Sequence, residues 1–318
     1  MARILITTDY LRPGDEVDDL LRSRGHETRY RSSVDLIADL AGVEGALVGH
    51  DPLTAEVVAS ADRLRAVVRT GVGYDAIDVE AAARAGITVS NLPGINANAV
   101  AEYTMGLLLT SSRRLLESAT GVAAGGWPRE DGRELRGSTL GLIGYGAAAR
   151  AVAPLARAFG MSVLCATGVA EAERTDPEVR FVELPELLAG ADFVSVHTAL
   201  TPRTRGMLDA AALALMKPGA VLVNTARGAI VDEDALVAAV REGRIAGAAL
   251  DVVAEEPLPA ESPLRGVSGI VVHSHLAGQT AQARRAAGLE GARELLDALA
   301  GRPKHAVNAH LIEERDNR

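Results

Sequence analysis

The stretch Ser138–Arg150, STLGLIGYGAAAR, runs an apolar strand into a glycine turn and then into a helix-forming segment. Gly144-Tyr145-Gly146-Ala147-Ala148-Ala149 is a G-x-G-x-x-A loop in its required strand-to-helix setting. In such a loop the first glycine permits the tight turn and the second lets the backbone approach a pyrophosphate. The small third residue lets the helix pack closely on the strand. The N–H groups that open the helix, around Ala147 and Ala148, then face the phosphates. Glycine turns between strands and helices are common, so the surrounding chain has to carry the rest of the reading.

Moving outward, short runs rich in Val, Ile and Leu recur between Ala-rich amphipathic segments: ILIT, ALVG, AVVR, ITVS, SVLC, FVSV, VLVN and GIVV. That alternation predicts an α/β fold, with parallel sheets covered on both faces by helices. In VDEDALVAAVREGRIAG the acids Asp232 and Glu233 sit where the dipole of a first turn favours them. Leu236, Val237 and Val240 make an apolar stripe, and Gly243 stops the helix. The segment NANAVAEYTMGLLLTSSRRLL, from Asn96, is apolar around most of its circumference, which predicts a helix buried between lobes or against another subunit.

Composition narrows the function classes. The 318 residues suffice for two lobes, and with 48% hydrophobic but only 3% aromatic residues the core is aliphatic, as helices on a parallel sheet require. A net charge of −9 gives no electrostatic reason to expect nucleic acid or an anionic membrane as a partner. No stretch approaches the roughly 18 to 20 apolar residues of a spanning helix, and the first apolar run is too short for a signal peptide. A soluble, cytoplasmic protein is expected. The single cysteine, Cys165, forms no internal disulfide and reads as a packing residue.

The strand after the glycine loop, MSVLCAT, ends at Thr167, where an acid would ordinarily hold the adenosine ribose of NAD and repel the 2′-phosphate of NADP. The cofactor is therefore NADP or NAD, with NADP favoured, although Gly168, Val169 and Ala170 supply no arginine and Arg174 is the first candidate. Near the C-terminal end, IVVHSHLAGQT carries His273 and His275. Three readings stand: partly buried surface histidines, a pair of metal ligands on one face of a continuing strand, or a proton carrier.

With these motifs in order, the chain resembles the D-2-hydroxyacid dehydrogenase family along nearly its whole length. The motifs are RTGVGYDAIDVEAAARAGITVSN, NLPGINANAVAE, GSTLGLIGYG, VSVHTALTPRTRGMLD, MKPGAVLVNTARGAIVDEDAL, GAALDVVAEEPLP and HSHLAGQT. The resemblance implies two doubly wound, Rossmann-like lobes with a cofactor cleft between them. Residues 1–98 with 282–318 would form the substrate-binding domain and 99–281 the dinucleotide-binding domain. It implies a catalytic set of Arg227, Glu256 and His275, with His273 standing where relatives commonly carry threonine and Ser274 where they carry proline. An imidazolium gives the proton, a carboxylate beside it favours the charged ring, and a guanidinium fork binds the substrate carboxylate.

The resemblance also implies cofactor contacts at Gly144, Gly146, Ala147, Ala148, Thr167, His197, Thr198, Thr225 and Ala226, with Asp251 on the nicotinamide carboxamide. Substrate contacts fall to Arg227 and to the turn at Val72 and Gly73. Arg69 either binds a second anionic group, a phosphate or phosphonate, or simply ends a strand. The expected activity is an NAD(P)-dependent oxidoreductase acting between a small 2-keto acid and its D-2-hydroxy acid, in a homodimer. Two alternatives differ in class: a nucleotide-sensing corepressor-like protein, and a metal-dependent hydrolase built on His273 and His275.

Overall fold

The computed structural model describes residues 1–31 and 35–316; residues 317 and 318, the end of the expected C-terminal segment, lie outside them. The chain divides into two compact units, residues 1–96 with 280–318 and residues 97–279.

In the first unit β1 (Arg3–Ile6), β2 (Glu27–Tyr30), β3 (Gly45–Val48), β4 (Ala66–Arg69) and β5 (Thr88–Ser90) form one parallel sheet in the order β2-β1-β3-β4-β5. Its interior strands are continuous apolar runs, GALV and AVV, because both faces are covered. The helix Ala281–Leu299 returns to this sheet. Small residues let it come close: a methyl on Gly45 would stand 3.2 Å from both Leu295 and Leu299. Buried Asn308 then accepts from the Val89 N–H and donates to the Ile87 carbonyl, tying the chain end to β5.

The second unit holds β6 (Thr139–Ile143), β7 (Ser162–Ala166), β8 (Val179–Phe181), β9 (Phe193–Val196), β10 (Val221–Asn224), β11 (Gly247–Leu250) and β12 (Ile270–Val272). All pairings are parallel, in the order β12-β11-β10-β9-β6-β7-β8. The order reverses between β6 and β9, which pair in register from Leu140 with Phe193 to Ile143 with Val196. Their carboxyl ends therefore open side by side at a topological switch point, the usual place for a ligand in a doubly wound sheet.

Helix Ala97–Arg113 packs on β10, β11 and the helix Ala147–Ala158 of its own unit, through Ala101, Thr104, Met105 and Leu108 among others. The apolar segment is thus two helices rather than one. Arg114 takes a left-handed φ of 52°, and the helix that follows, Leu115–Ala123, buries no residue. Asp232 caps the helix Glu233–Arg241 by accepting from the Ala235 N–H at 3.0 Å, and Gly243 ends it with φ of 70°. Among the described residues no helix is long and apolar enough to cross a membrane.

Candidate active site

Three neighbouring strand ends build one half of the site. Gly144 follows β6 with φ of 99°, and a Cβ there would stand 2.6 Å from the His197 carbonyl oxygen and 2.9 Å from the Thr198 amide. Conformation and space both demand glycine. Gly146 has nothing within 4 Å of where its Cβ would lie and caps the helix Ala147–Ala158 without a side chain, so the space before the first-turn amides stays open. Ala149, the third motif residue, is fully buried against the core.

A pocket of about 520 Å³ lies here, lined by Gly144, Gly146, Thr167, His197 and Thr198, with Arg150, Val169 and Glu173 at its wall. The Thr167 Oγ1 accepts from the Val169 N–H at 3.2 Å. Burial pushes the His197 imidazole down to about 4, so the ring is neutral at ordinary pH, and it sits 2.9 Å from the buried Ser195 hydroxyl. A glycine turn and an open helix start with free amides suit a dinucleotide pyrophosphate.

The other half follows β10, β11 and β12, whose last residues Asn224, Leu250 and Val272 lie in register. Buried Asn224 holds the loop of Arg227: its Oδ1 accepts from the Ala226 N–H at 3.0 Å and its Nδ2 donates to the Arg227 carbonyl at 2.9 Å. Gly228 lies so close to the Val253-Ala254 backbone that a Cβ would stand 1.9 Å from the Val253 carbonyl carbon, which locks this loop to the one carrying Glu256. Glu233 accepts from the Ala254 N–H at 2.6 Å and ties that second loop to the start of the helix Glu233–Arg241.

The His275 Nδ1 donates to the Glu256 Oε2 at 2.8 Å, while the Val253 N–H donates to Oε1 at 3.2 Å. Burial alone would raise the Glu256 carboxyl, but the hydrogen bond and charge of His275, the Val253 amide and the Arg227 charge together hold it below the usual carboxylate range. An ionised Glu256 places the shared proton on Nδ1. Glu256, not Glu255, is the partner, since it is the Glu256 Oε2 that lies 2.8 Å from the His275 Nδ1.

His275 itself takes φ of 58°, a left-handed conformation that costs a histidine about 1 kcal/mol. Asp251 offsets it. The Asp251 carbonyl accepts from the His275 N–H at 2.8 Å, and its two carboxylate oxygens accept from the Leu276 and Ala277 N–H groups at 2.7 and 2.8 Å. At roughly 0.5–1.5 kcal/mol for each hydrogen bond, the three together exceed the strain. Expected to meet a carboxamide, Asp251 instead has no exposed surface, and its carboxylate anchors the His275 segment.

The metal-ligand reading required a strand continuing through both histidines, but β12 ends at Val272 and the left-handed His275 turns the chain. His273 Nδ1 lies 2.9 Å from the Tyr103 hydroxyl, so each histidine has its own partner. Among the described residues no three His, Cys, Asp or Glu side chains are grouped to hold a metal ion.

Thr225 and Ala226 lie between Asn224 and Arg227, half-buried. Arg69, Val72 and Gly73 belong to the first unit. There the Arg69 guanidinium folds back over Gly71, with Nη2 3.3 Å from the His50 Nε2, and the Asn91 Nδ2 donates to the Val72 carbonyl at 2.6 Å.

Residues 105–277 match the family described as D-isomer specific 2-hydroxyacid dehydrogenase, NAD binding domain. The chain belongs to the D-2-hydroxyacid dehydrogenase family. It is 43% identical over 250 residues to the D-3-phosphoglycerate dehydrogenase of Mycobacterium leprae, covering 78% of this chain and 47% of that protein. To the glyoxylate reductase of Aeropyrum pernix it is 39% identical over 276 residues, 83% of this chain and 82% of the relative. The chain thus spans about half the length of the first of these and most of the second. Its fold is similar to that of an acyclic imino acid reductase solved with NADPH and D-Arg, with a TM-score of 0.86 at 28% identity over 96% of this chain and 99% of the other. These relatives are enzymes by name, and a corepressor-like role gains nothing from them.

Within this family member, Asn224, Ser195, Gly228 and the Tyr103–His273 contact escape a reading of motifs. Asn224 stands in the quoted run VLVNTARG, and a buried amide at a strand end is the signal that could have found it. Tyr103 and His273 lie 170 residues apart and carry no local signal.

Proposed function

We propose that the chain is a nicotinamide-dependent oxidoreductase interconverting a small 2-keto acid and its D-2-hydroxy acid. The observation that carries this reading is the Glu256–His275 pair, 2.8 Å apart, with Glu256 on a loop packed against that of Arg227. A dinucleotide, when bound, supplies or takes the hydride. With Nδ1 committed to Glu256, His275 gives a proton from Nε2 to the developing alkoxide, and takes it back in the oxidative direction. Arg227 binds the substrate carboxylate and polarises the carbonyl.

The pocket at β6, β7 and β9 receives the dinucleotide, with Gly144, Gly146, Ala147 and Ala148 at the pyrophosphate and Thr167, His197 and Thr198 beside them. The unit 97–279 is the dinucleotide-binding domain and the unit 1–96 with 280–318 the substrate-binding domain, where the Val72 and Gly73 amides meet a carboxylate. Arg69, with His50 beside it, takes a second anionic group. NADP is favoured, and three features support that choice. Thr167 carries no charge, Arg150 lines the pocket, and the Arg174 Nε donates to the Val169 carbonyl at the pocket wall. Glu173 is the acid that opposes it.

Leu115, Leu116, Val122 and Trp127 are exposed on and after the helix that buries nothing. A second copy of the chain covers them in a homodimer. The protein works in the cytoplasm, where its single thiol, pushed up to about 12 by burial, stays protonated. Assaying glyoxylate, hydroxypyruvate, and phosphorylated and phosphonate-bearing 2-keto acids with NADH and NADPH tests the reading. Turnover of at least one is expected, and cofactor binding without turnover of any would contradict it.

A further inference from the structure

We infer that one turn of the helix Ala97–Arg113 positions both reacting side chains: Tyr103 sets His275 through His273, and Thr104 sets Arg227 through Thr225. The inference rests on the roles just proposed for His275 and Arg227. The Tyr103 hydroxyl lies 2.9 Å from His273 Nδ1, with the two rings edge to face at 5.7 Å and 84°. The adjacent Thr104 donates its hydroxyl proton to the Val100 carbonyl at 2.8 Å, leaving its oxygen to accept from the Thr225 hydroxyl at 3.4 Å. Each contact falls two residues before a reacting side chain.

The chain needs such ties where they occur. His273 N–H donates to the Leu250 carbonyl at 2.7 Å, and one residue later the exposed Ser274 leads into the left-handed His275. Serine leaves φ free where a proline would fix it. The direction in which His275 leaves the strand then depends on what holds His273. Tyr103 does so from a helix whose own face is buried: Thr104 and Leu108 have no exposed surface, and Ala101 and Met105 are buried around them. Among the described residues the buried His273 Nε2 has no hydrogen-bond partner, so the ring's side-chain bond is the one to Tyr103. Side chains locked on a rigid element are what hold a reacting group to within a fraction of an ångström. Tyr103, His273, Thr104 and Thr225 act through their neighbours and are positioning residues.

The test is steady-state keto-acid reduction by Tyr103→Phe and Thr104→Val in two backgrounds, wild type and His275→Ala, with NAD(P)H affinity read by fluorescence. Tyr103→Phe should lower kcat about tenfold with KM nearly unchanged, since a misplaced proton donor slows chemistry rather than binding. Thr104→Val, acting through Arg227, should mainly raise KM. In the His275→Ala background Tyr103→Phe should cost nothing further, because two changes acting through one group are not additive. His273→Asn keeps an amide near the place of Nδ1 and should hold near wild-type kcat, whereas His273→Leu should reproduce Tyr103→Phe; that pair carries the comparison if Tyr103→Phe melts early. Wild-type kcat in both Tyr103→Phe and His273→Leu, or an equal fractional loss with His275 absent, overturns the inference. Wild-type turnover by His275→Ala alone is a different result and removes the proposed function instead.

Discussion

Asp251 has no exposed surface and spends both carboxylate oxygens on the amides of Leu276 and Ala277. The sequence LDV offers the residue but not this use of it, because the partners lie 25 and 26 residues away. An amide has one acceptor oxygen where the carboxylate has two, so Asp251→Asn leaves an N–H unpaired. A loss of about 1–3 kcal/mol in urea unfolding is expected, with a fall in kcat; unchanged stability and turnover would show that the anchor is dispensable. The Glu256–His275 pair was readable as residue types, and the structure adds that the carboxyl is held below its ordinary value of 4.5. A carboxyl depressed in the fold stabilises it above the unfolded pKa, and that contribution is lost as pH falls through the folded value. In Glu256→Gln the negative charge beside the imidazole is gone. Acid unfolding below about pH 4.5 should lose this component. An acid-unfolding profile matching wild type would mean the pair does not stabilise the fold.

Strands with Val, Ile and Leu runs were legible because parallel strands are buried on both faces. Three were not. β2 reads ETRY because it is the edge of its sheet, β8 is only three residues at another edge, and β11 reads GAAL where Gly247 lies against the Gly269 carbonyl. Small residues there serve close approach and carry no hydrophobic pattern. The long apolar segment from Asn96 misled for a different reason: nothing in its periodicity marks Arg114 as the break. At the glycine loop the pattern gave the strand, turn and helix, and what it left open is the far wall of the pocket, lined by Thr167, Arg150 and Glu173. Thr167→Asp adds a carboxylate near a 2′-phosphate, a repulsion of ~1 kcal/mol or more even in water. Titrating both reduced cofactors should show NADPH preferred by the wild type and NADH by the variant. A wild type that clearly prefers NADH would sink the NADP assignment.

At the scale of the whole molecule, each unit is built on one parallel sheet. In the second, a pocket lies at the ends of β6, β7 and β9, and Arg227, Glu256 and His275 follow β10, β11 and β12. The helix Leu115–Ala123 and Trp127, at 77% exposure, leave apolar surface in water. If a second copy covers it, Leu116→Glu with Trp127→Glu should turn a dimer into a monomer in sedimentation velocity, and a wild-type monomer at micromolar concentration would end that proposal. If the protein moves a hydride with His275 as its proton donor, removing that imidazole must slow the chemical step. The direct measurement is kcat for reduction of the best 2-keto acid by wild type and His275→Ala, with NAD(P)H affinity measured on both. The expected result is a kcat lower by roughly 10²- to 10⁴-fold at unchanged nucleotide affinity; turnover near that of wild type in His275→Ala would contradict it.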